Sequence, residues 1–181
     1  DAHLSIAKLR AARAIYSNIT REFGVEDTSL TIHSTSSRRM MQKIDVWSNM
    51  LRLMSAGFGS VVGGADFITT FPYTDPIGLP TEMGHRVSRN MQIMMMEESH
   101  LGLVNDPAHG SFFHERMTHA LTDKAWSEFQ TIESEGGIEN LSRFQQRVKK
   151  SSEERLLQNE PILGVTLHAD ETIPTPEIRG L

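Results

Sequence analysis

Short apolar segments, each followed by a polar loop and then by a long amphipathic stripe, recur along this chain. That recurrence restricts the fold more than any other feature. Leu9, Ala12, Tyr16, Ile19 and Phe23 repeat at spacings of three and four and end at Gly24, which predicts a first helix with a glycine C-cap. Leu30 to His33 reads as a short strand running into a serine-rich loop. Trp47, Leu51, Met54, Phe58 and Val61 form a second stripe, stopped by Gly63 and Gly64. Phe67 to Phe71 reads as a second strand, and Met83, Val87, Met91 and Met94 as a third helical stripe. Leu101 to Val104 reads as a short third strand despite Gly102. Met117, Leu121, Ala125, Phe129 and Ile132 line a fourth helix that ends at Gly136 and Gly137. A charged helix over 141–157 follows, and then a stretch holding three of the seven prolines, which reads as an extended strap or linker.

The order α-β-α-β-α-β-α implies parallel βα units with right-handed crossovers. Short apolar strand cores suit strands covered on both faces. A small doubly wound sheet and part of a (β/α)8 barrel both fit. Three strands cannot close a barrel, which takes eight strands and about 250 residues. A chain that starts on a helix, with no strand before it, reads as a piece of something larger.

At 181 residues, 38% hydrophobic and 23% charged, the chain has the makings of a packed globular core. A net charge of −5 without a basic run argues against nucleic acid and anionic membrane as partners. There are no cysteines, so neither a disulfide framework nor thiolate chemistry is available. No apolar run reaches the length of a membrane span, and no signal peptide is visible, which leaves the cytoplasm as the expected location. The ten methionines fall largely at helical spacing and read as core filler.

Polar clusters are few. In "FFHERMTHAL", His114 and His119 are five residues apart. They therefore point roughly 140° apart around a helix and cannot share a metal from one face. Adjacent Glu97 and Glu98 diverge by about 100°, so they are not a ready acid/base pair. Glu98 either faces inward at the strand mouth or binds neighbouring backbone or an arginine. The loop "HSTSSRR", His33 to Arg39, offers hydroxyls, an imidazole and two guanidinium groups. It could hold a phosphate or carboxylate, or Arg38 and Arg39 could pair with acidic neighbours. It lacks the glycines and lysine of a P-loop.

Longer stretches carry a resemblance. "IAKLRAARAIYSN", "RRMMQKIDVWSNMLR", "GGADFITTFPYTDPIGLP", "HRVSRNMQ", "EESHLGLVNDPAHGSFFHE" and "LTDKAWSEFQTIESEGG" are similar, in order, to the cobalamin-dependent acyl-CoA mutases, in particular the methylmalonyl-CoA mutase family. The likeness covers Leu4 to Gly137. It implies an α/β fold whose parallel βα units form the second half of a (β/α)8 TIM barrel. Residues 1–137 are then a partial barrel, 138–158 a C-terminal helix and 159–181 an extended strap. In that family the barrel is threaded by coenzyme A, and a separate domain presses cobalamin against its C-terminal face. The reaction is a radical interconversion of methylmalonyl-CoA and succinyl-CoA.

The resemblance also implies what has been lost. Catalytic subunits read like HCQTSG after the sixth strand, and here the run is His33, Ser34, Thr35, Ser36, Ser37, Arg38. Arg38 stands where a glycine lets backbone approach the corrin. After the seventh strand they read like HTNSFDEALGLP, where this chain has Thr69 to Pro80. Histidine is replaced by Thr69, asparagine by Phe71 and glutamate by Asp75, with Pro76 next, while Leu79 is kept. His33, Asp75 and Leu79 are the expected cofactor-facing positions. No catalytic residue and no metal ligand is expected. The pattern most resembles the family's small subunit, a non-catalytic scaffold paired with a catalytic large subunit in a heterodimer. Adenosylcobalamin would then serve the complex, with none bound by this stretch, which on its own would be an inactive component of an isomerase. A divergent catalytic mutase that uses adenosylcobalamin is the alternative. Self-association of a half barrel is a further possibility, since an open sheet edge invites pairing.

Overall fold

Helix α1 (Ala2–Glu22) begins where the Asp1 carboxylate accepts the His3 and Leu4 N–H groups at 2.9 and 3.3 Å. Strand β1 (His33–Thr35) follows, then helix α2 (Asn49–Val62), strand β2 (Phe67–Thr69) and helices α3 (Glu82–Glu97), α4 (Phe112–Ser134) and α5 (Leu141–Leu156). The computed structural model describes residues 1–156, 161–170 and 172–180. Leu157, at the end of the expected last helix, and positions 159, 160, 171 and 181 of the expected strap lie outside the described residues.

β1 and β2 pair in parallel, with His33 opposite Phe67, Ser34 opposite Ile68 and Thr35 opposite Thr69. α2 is the crossover, which makes one βαβ unit. Both strands lie within three residues of their expected positions, but they are shorter. Within this chain only one face of the strand pair is covered. Ser34 and Ile68 are half-buried, while His33, Thr35, Phe67 and Thr69 stay exposed on the other face. The expected third strand at Leu101–Val104 is instead a run of turns. The Leu101 N–H bonds Met95 O and the Leu103 N–H bonds His100 O, so these donors are taken within the turn. His100, at φ 51°, starts that turn in the left-handed region.

Helix packing depends on small residues. α1 crosses α2 so closely that a Cβ on Gly59 would lie 3.1 Å from Ser5 Cβ. One on Gly63 would lie 2.9 Å from Leu9 Cδ1. Gly63 therefore does more than stop α2: it lets Ile6 and Leu9 sit in the interface. The α1 face that is buried is Ile6, Ala7, Leu9 and Ala11, whereas Tyr16 and Phe23 at the far end of the expected stripe are exposed. The α3 stripe is likewise uneven, with Met91 buried but Met83 and Met94 exposed. The main core gathers Met41, Val46, Leu53, Tyr73 and Met91, with Met40, Met50 and Met54 packed against it. Methionine acts there as the expected adaptable filler.

Two polar knots lock this framework. Asn49, fully buried, accepts the Gln42 N–H at 2.9 Å and donates to Gln42 O and Tyr73 O at 2.9 and 3.0 Å. It thereby joins the loop after β1 to the loop after β2. Between α1 and α4, Arg10 donates to Glu115 and Asp106, both at 2.9 Å, and to Thr118 Oγ1 at 3.0 Å. The Arg10 bond, with a further one from the Gly110 N–H, holds the Glu115 carboxyl down at about 2, from 4.5.

Asn49→Leu keeps the volume but leaves the Gln42 and Tyr73 backbone groups unpaired. We expect a loss of about 2–4 kcal/mol in urea unfolding, and an unchanged midpoint would remove Asn49 from this role. Glu115 binds its proton less readily folded than unfolded. Its contribution is therefore complete above pH 4.5 and is lost as pH falls toward 2. Glu115→Gln should lower the melting temperature at pH 7 and flatten its decline across that acid window, as read by circular dichroism.

Candidate functional site

Parallel pairing delivers the ends of β1 and β2 to the same side, so the loops that follow them form one rim. The rim is fastened by backbone before any side chain acts. The Ser36 N–H bonds Thr69 O at 2.9 Å, and Ser36 Oγ accepts the Phe71 N–H at 3.0 Å. The chain after β1 then makes a single 3-10 turn at Arg38–Met40, capped by Ser37 Oγ. That turn aims Arg38 at the opposite loop.

There the guanidinium meets two groups. Its Nε donates to Asp75 Oδ2 at 2.9 Å, and its carbon centre sits 4.4 Å from the centroid of the Phe71 ring. An ion pair and a cation–π contact thus converge on one side chain. Arg38 is 69% exposed and Asp75 24%, so the pair lies at the solvent edge of the rim. Of the two readings left open for Arg38, pairing with an acidic neighbour is the one realised. Among the described residues Arg39 pairs with no carboxylate; its Nη2 donates to Ser152 Oγ on α5 at 2.6 Å.

The expected site residues are not gathered into one constellation. His33 Nε2 and Thr69 Oγ1 are 2.8 Å apart across the strand pair, on the exposed sheet face. Asp75 is held by Arg38. Leu79, 52% exposed, is bridged through its backbone to the C-terminal stretch, with its carbonyl accepting the Arg179 N–H at 2.9 Å. Ile178 lies directly against Gly78, where a Cβ would come within 2.7 Å of its Cδ1. Further along, Trp47 Nε1 donates to Pro174 O at 2.8 Å, and Trp47 stacks on Tyr73 at 5.4 Å. The C-terminal stretch therefore runs against the loops of the rim.

A second polar group lies beneath the rim. Thr70 Oγ1, buried, bonds Ser88 O and Ser88 Oγ at 3.1 and 3.0 Å and accepts from Gln92 Nε2 at 3.0 Å. Sequence reasoning assigned these residues no role. Ser88 and Gln92 sit four apart, each directly after Val87 or Met91 of the apolar stripe, and that spacing was the available signal. Asn49 gave no local signal, because Tyr73, which makes its role a bridge between two loops, lies 24 positions away.

The remaining candidates pair locally or stay exposed. His114 Nδ1 lies 2.9 Å from Ser111 Oγ and its Nε2 3.1 Å from His3 Nδ1, while His119 is exposed. Among the described residues no three histidine or carboxylate side chains are grouped to hold a metal. Glu97 and Glu98 are both exposed and form no side-chain bond among the described residues, so neither faces inward at the strand mouth. Among the described residues no helix is long and apolar enough to cross a membrane.

Comparison with known proteins places this geometry. The sequence profile described as methylmalonyl-CoA mutase matches residues 1–177. A protein of Streptomyces virginiae named methylmalonyl-CoA mutase small subunit is 38% identical over 178 residues, covering 92% of this chain and 28% of the relative. One of the same name from Propionibacterium freudenreichii subsp. shermanii is 41% identical over 141 residues, covering 76% and 22%. A methylmalonyl-CoA mutase of Rhizobium meliloti (strain 1021) is 33% identical over 138 residues, covering 75% and 19%. The chain thus spans about a quarter of the length of the small subunits it matches. From this match across nearly the whole sequence, the chain belongs to the methylmalonyl-CoA mutase family.

Proposed function

We propose that this chain is part of the small subunit of a methylmalonyl-CoA mutase and serves as a non-catalytic scaffold. Its partner is the catalytic large subunit, in a heterodimer that isomerises methylmalonyl-CoA and succinyl-CoA. The parallel βαβ unit is a segment of the second half of a (β/α)8 barrel, and the exposed His33, Thr35, Phe67 and Thr69 face is the side that the rest of the barrel covers. The cytoplasm is the proposed location.

The observation that carries this reading is the Arg38–Asp75–Phe71 contact. A corrin approaching the ends of the strands needs open backbone there, and polar groups free to meet it. Here a guanidinium lies over Phe71 and holds the nearest carboxylate. The residues present do not fit the cofactor, and no chemical step is assigned to them. His33, Asp75 and Leu79 are the positions through which a cofactor-facing rim would act. Each makes its contact with protein instead. Adenosylcobalamin is accordingly assigned to the complex. A divergent catalytic mutase is the disfavoured alternative, since radical chemistry needs preorganised polar groups in a closed site.

The test is calorimetric titration of adenosylcobalamin into the full-length subunit, alone and with its large subunit. Binding only to the pair supports the scaffold, and micromolar binding to the single subunit overturns it. Arg38→Gly should leave the single subunit still unable to bind, because Phe71 and Asp75 remain. The 181-residue chain alone should self-associate through its open sheet face. In size-exclusion chromatography Phe67→Lys should shift it toward monomer, and a monomeric parent chain would refute that expectation.

A further inference from the structure

The C-terminal stretch 172–180 is held through its backbone. Trp47 Nε1 donates to Pro174 O at 2.8 Å, and the Arg179 N–H donates to Leu79 O at 2.9 Å. Trp47 lies between β1 and α2, and Leu79 lies between β2 and α3, so the stretch spans both loops of the rim. Pro176 is buried, and Ile178 rests on Gly78, where a Cβ would come within 2.7 Å of Ile178 Cδ1. These two side chains are two positions apart, the spacing that puts them on one side of an extended chain. Thr175 and Glu177, which alternate with them, are exposed.

Main-chain bonds with alternate side chains turned inward are how an extended peptide is recognised by a surface. Pro174 and Pro176 suit that role, since neither has an N–H to leave unpaired and both favour an extended backbone. The receiving surface is firm. Trp47 stacks on the buried Tyr73 at 5.4 Å. The Ile77 and Gly78 N–H groups both bond Thr74 O, at 2.9 and 3.2 Å, which ties Gly78 to the residue beside Asp75. The stretch itself is built differently. Apart from Pro176, every residue of 172–180 is exposed, and segments with so little burial are the ones that open first in a fold.

We propose that Trp47, Gly78 and Leu79 form a cradle for an extended proline-containing segment, and that residues 174–179 are its occupant, a latch that fastens the two rim loops and releases them without unfolding the core. With the latch on, the loop that carries Asp75 is held by Arg38 on one side and by the Leu79 bridge on the other. With it off, that loop loses its outer tie, and Trp47 Nε1 and Leu79 O turn to solvent. The inference concerns the fold of this chain and does not rest on the heterodimer reading.

The test is amide hydrogen exchange on the full-length protein, read by mass spectrometry over segments 72–80 and 174–180 and over α1 and α4. Ile178→Asp should speed exchange in both latch segments by roughly tenfold and leave α1 and α4 within about twofold of wild type. Trp47→Phe keeps a ring against Tyr73 and removes only the indole donor, so it should give a smaller rise, roughly threefold, in the same segments. It also keeps the test intact if Ile178→Asp fails to fold. A synthetic peptide of residues 172–180, at about millimolar concentration to match the tethered segment, should restore slow exchange over 72–80 in the Ile178→Asp protein. The same peptide carrying Ile178→Asp should not. No acceleration over 72–80 in either variant overturns the latch, since the stretch would then lie on the rim without fastening it. Equal acceleration of α1 and α4 in both variants overturns it too, because the stretch would be part of the core. Failure of the wild-type peptide to slow exchange overturns the cradle.

Discussion

Parallel pairing of β1 with β2 is the constraint on which the rest depends. An antiparallel hairpin would send the two following loops to opposite ends. The parallel register puts them side by side, and the Ser36–Thr69 and Ser36–Phe71 bonds fix their spacing. Arg38 can reach Asp75, 37 positions later, only because of that register. Asn49 can join Gln42 to Tyr73 for the same reason. The rim is therefore a product of strand direction first and of side-chain chemistry second.

The helices were legible because their period of about 3.6 is a local signal. The limits of α2, α3 and α4 fall close to their apolar stripes and their terminal glycines. Which part of a stripe is buried was not legible. Tyr16 and Phe23 match the α1 pattern as well as Leu9 does, yet Leu9 is buried and they are exposed. The segment Leu101–Val104 shows the weakness of short apolar runs. Four residues cannot be told from a turn by period, and the left-handed His100 decided the outcome.

At the site, residue types were readable and partners were not. Arg38 could have held a ligand or met an acid. Choosing between them takes the register of two strands separated by a whole helix. The buried Thr70–Ser88–Gln92 group needed the same information, because a threonine at a strand end has no local mark of burial. The resemblance supplied what periodicity could not, by singling out Arg38, Phe71 and Asp75 as the altered positions. The geometry adds that the three changes are not independent, since they touch one another.

Polar and apolar groups are satisfied unequally across the molecule. At the rim, where an enzyme would keep charged groups open toward a substrate, Arg38 and Asp75 neutralise one another. Elsewhere the unsatisfied groups are apolar, with Phe67 on the sheet face 62% exposed and Leu141, Phe144 and Val148 on α5 uncovered. Exposed apolar surface gains free energy by being covered, and it scales with area rather than with fine geometry. Polar groups are thus paired with one another at the rim, while apolar side chains stay exposed on the sheet face and on α5. Arg38 is central to that division, because its guanidinium meets both Phe71 and Asp75.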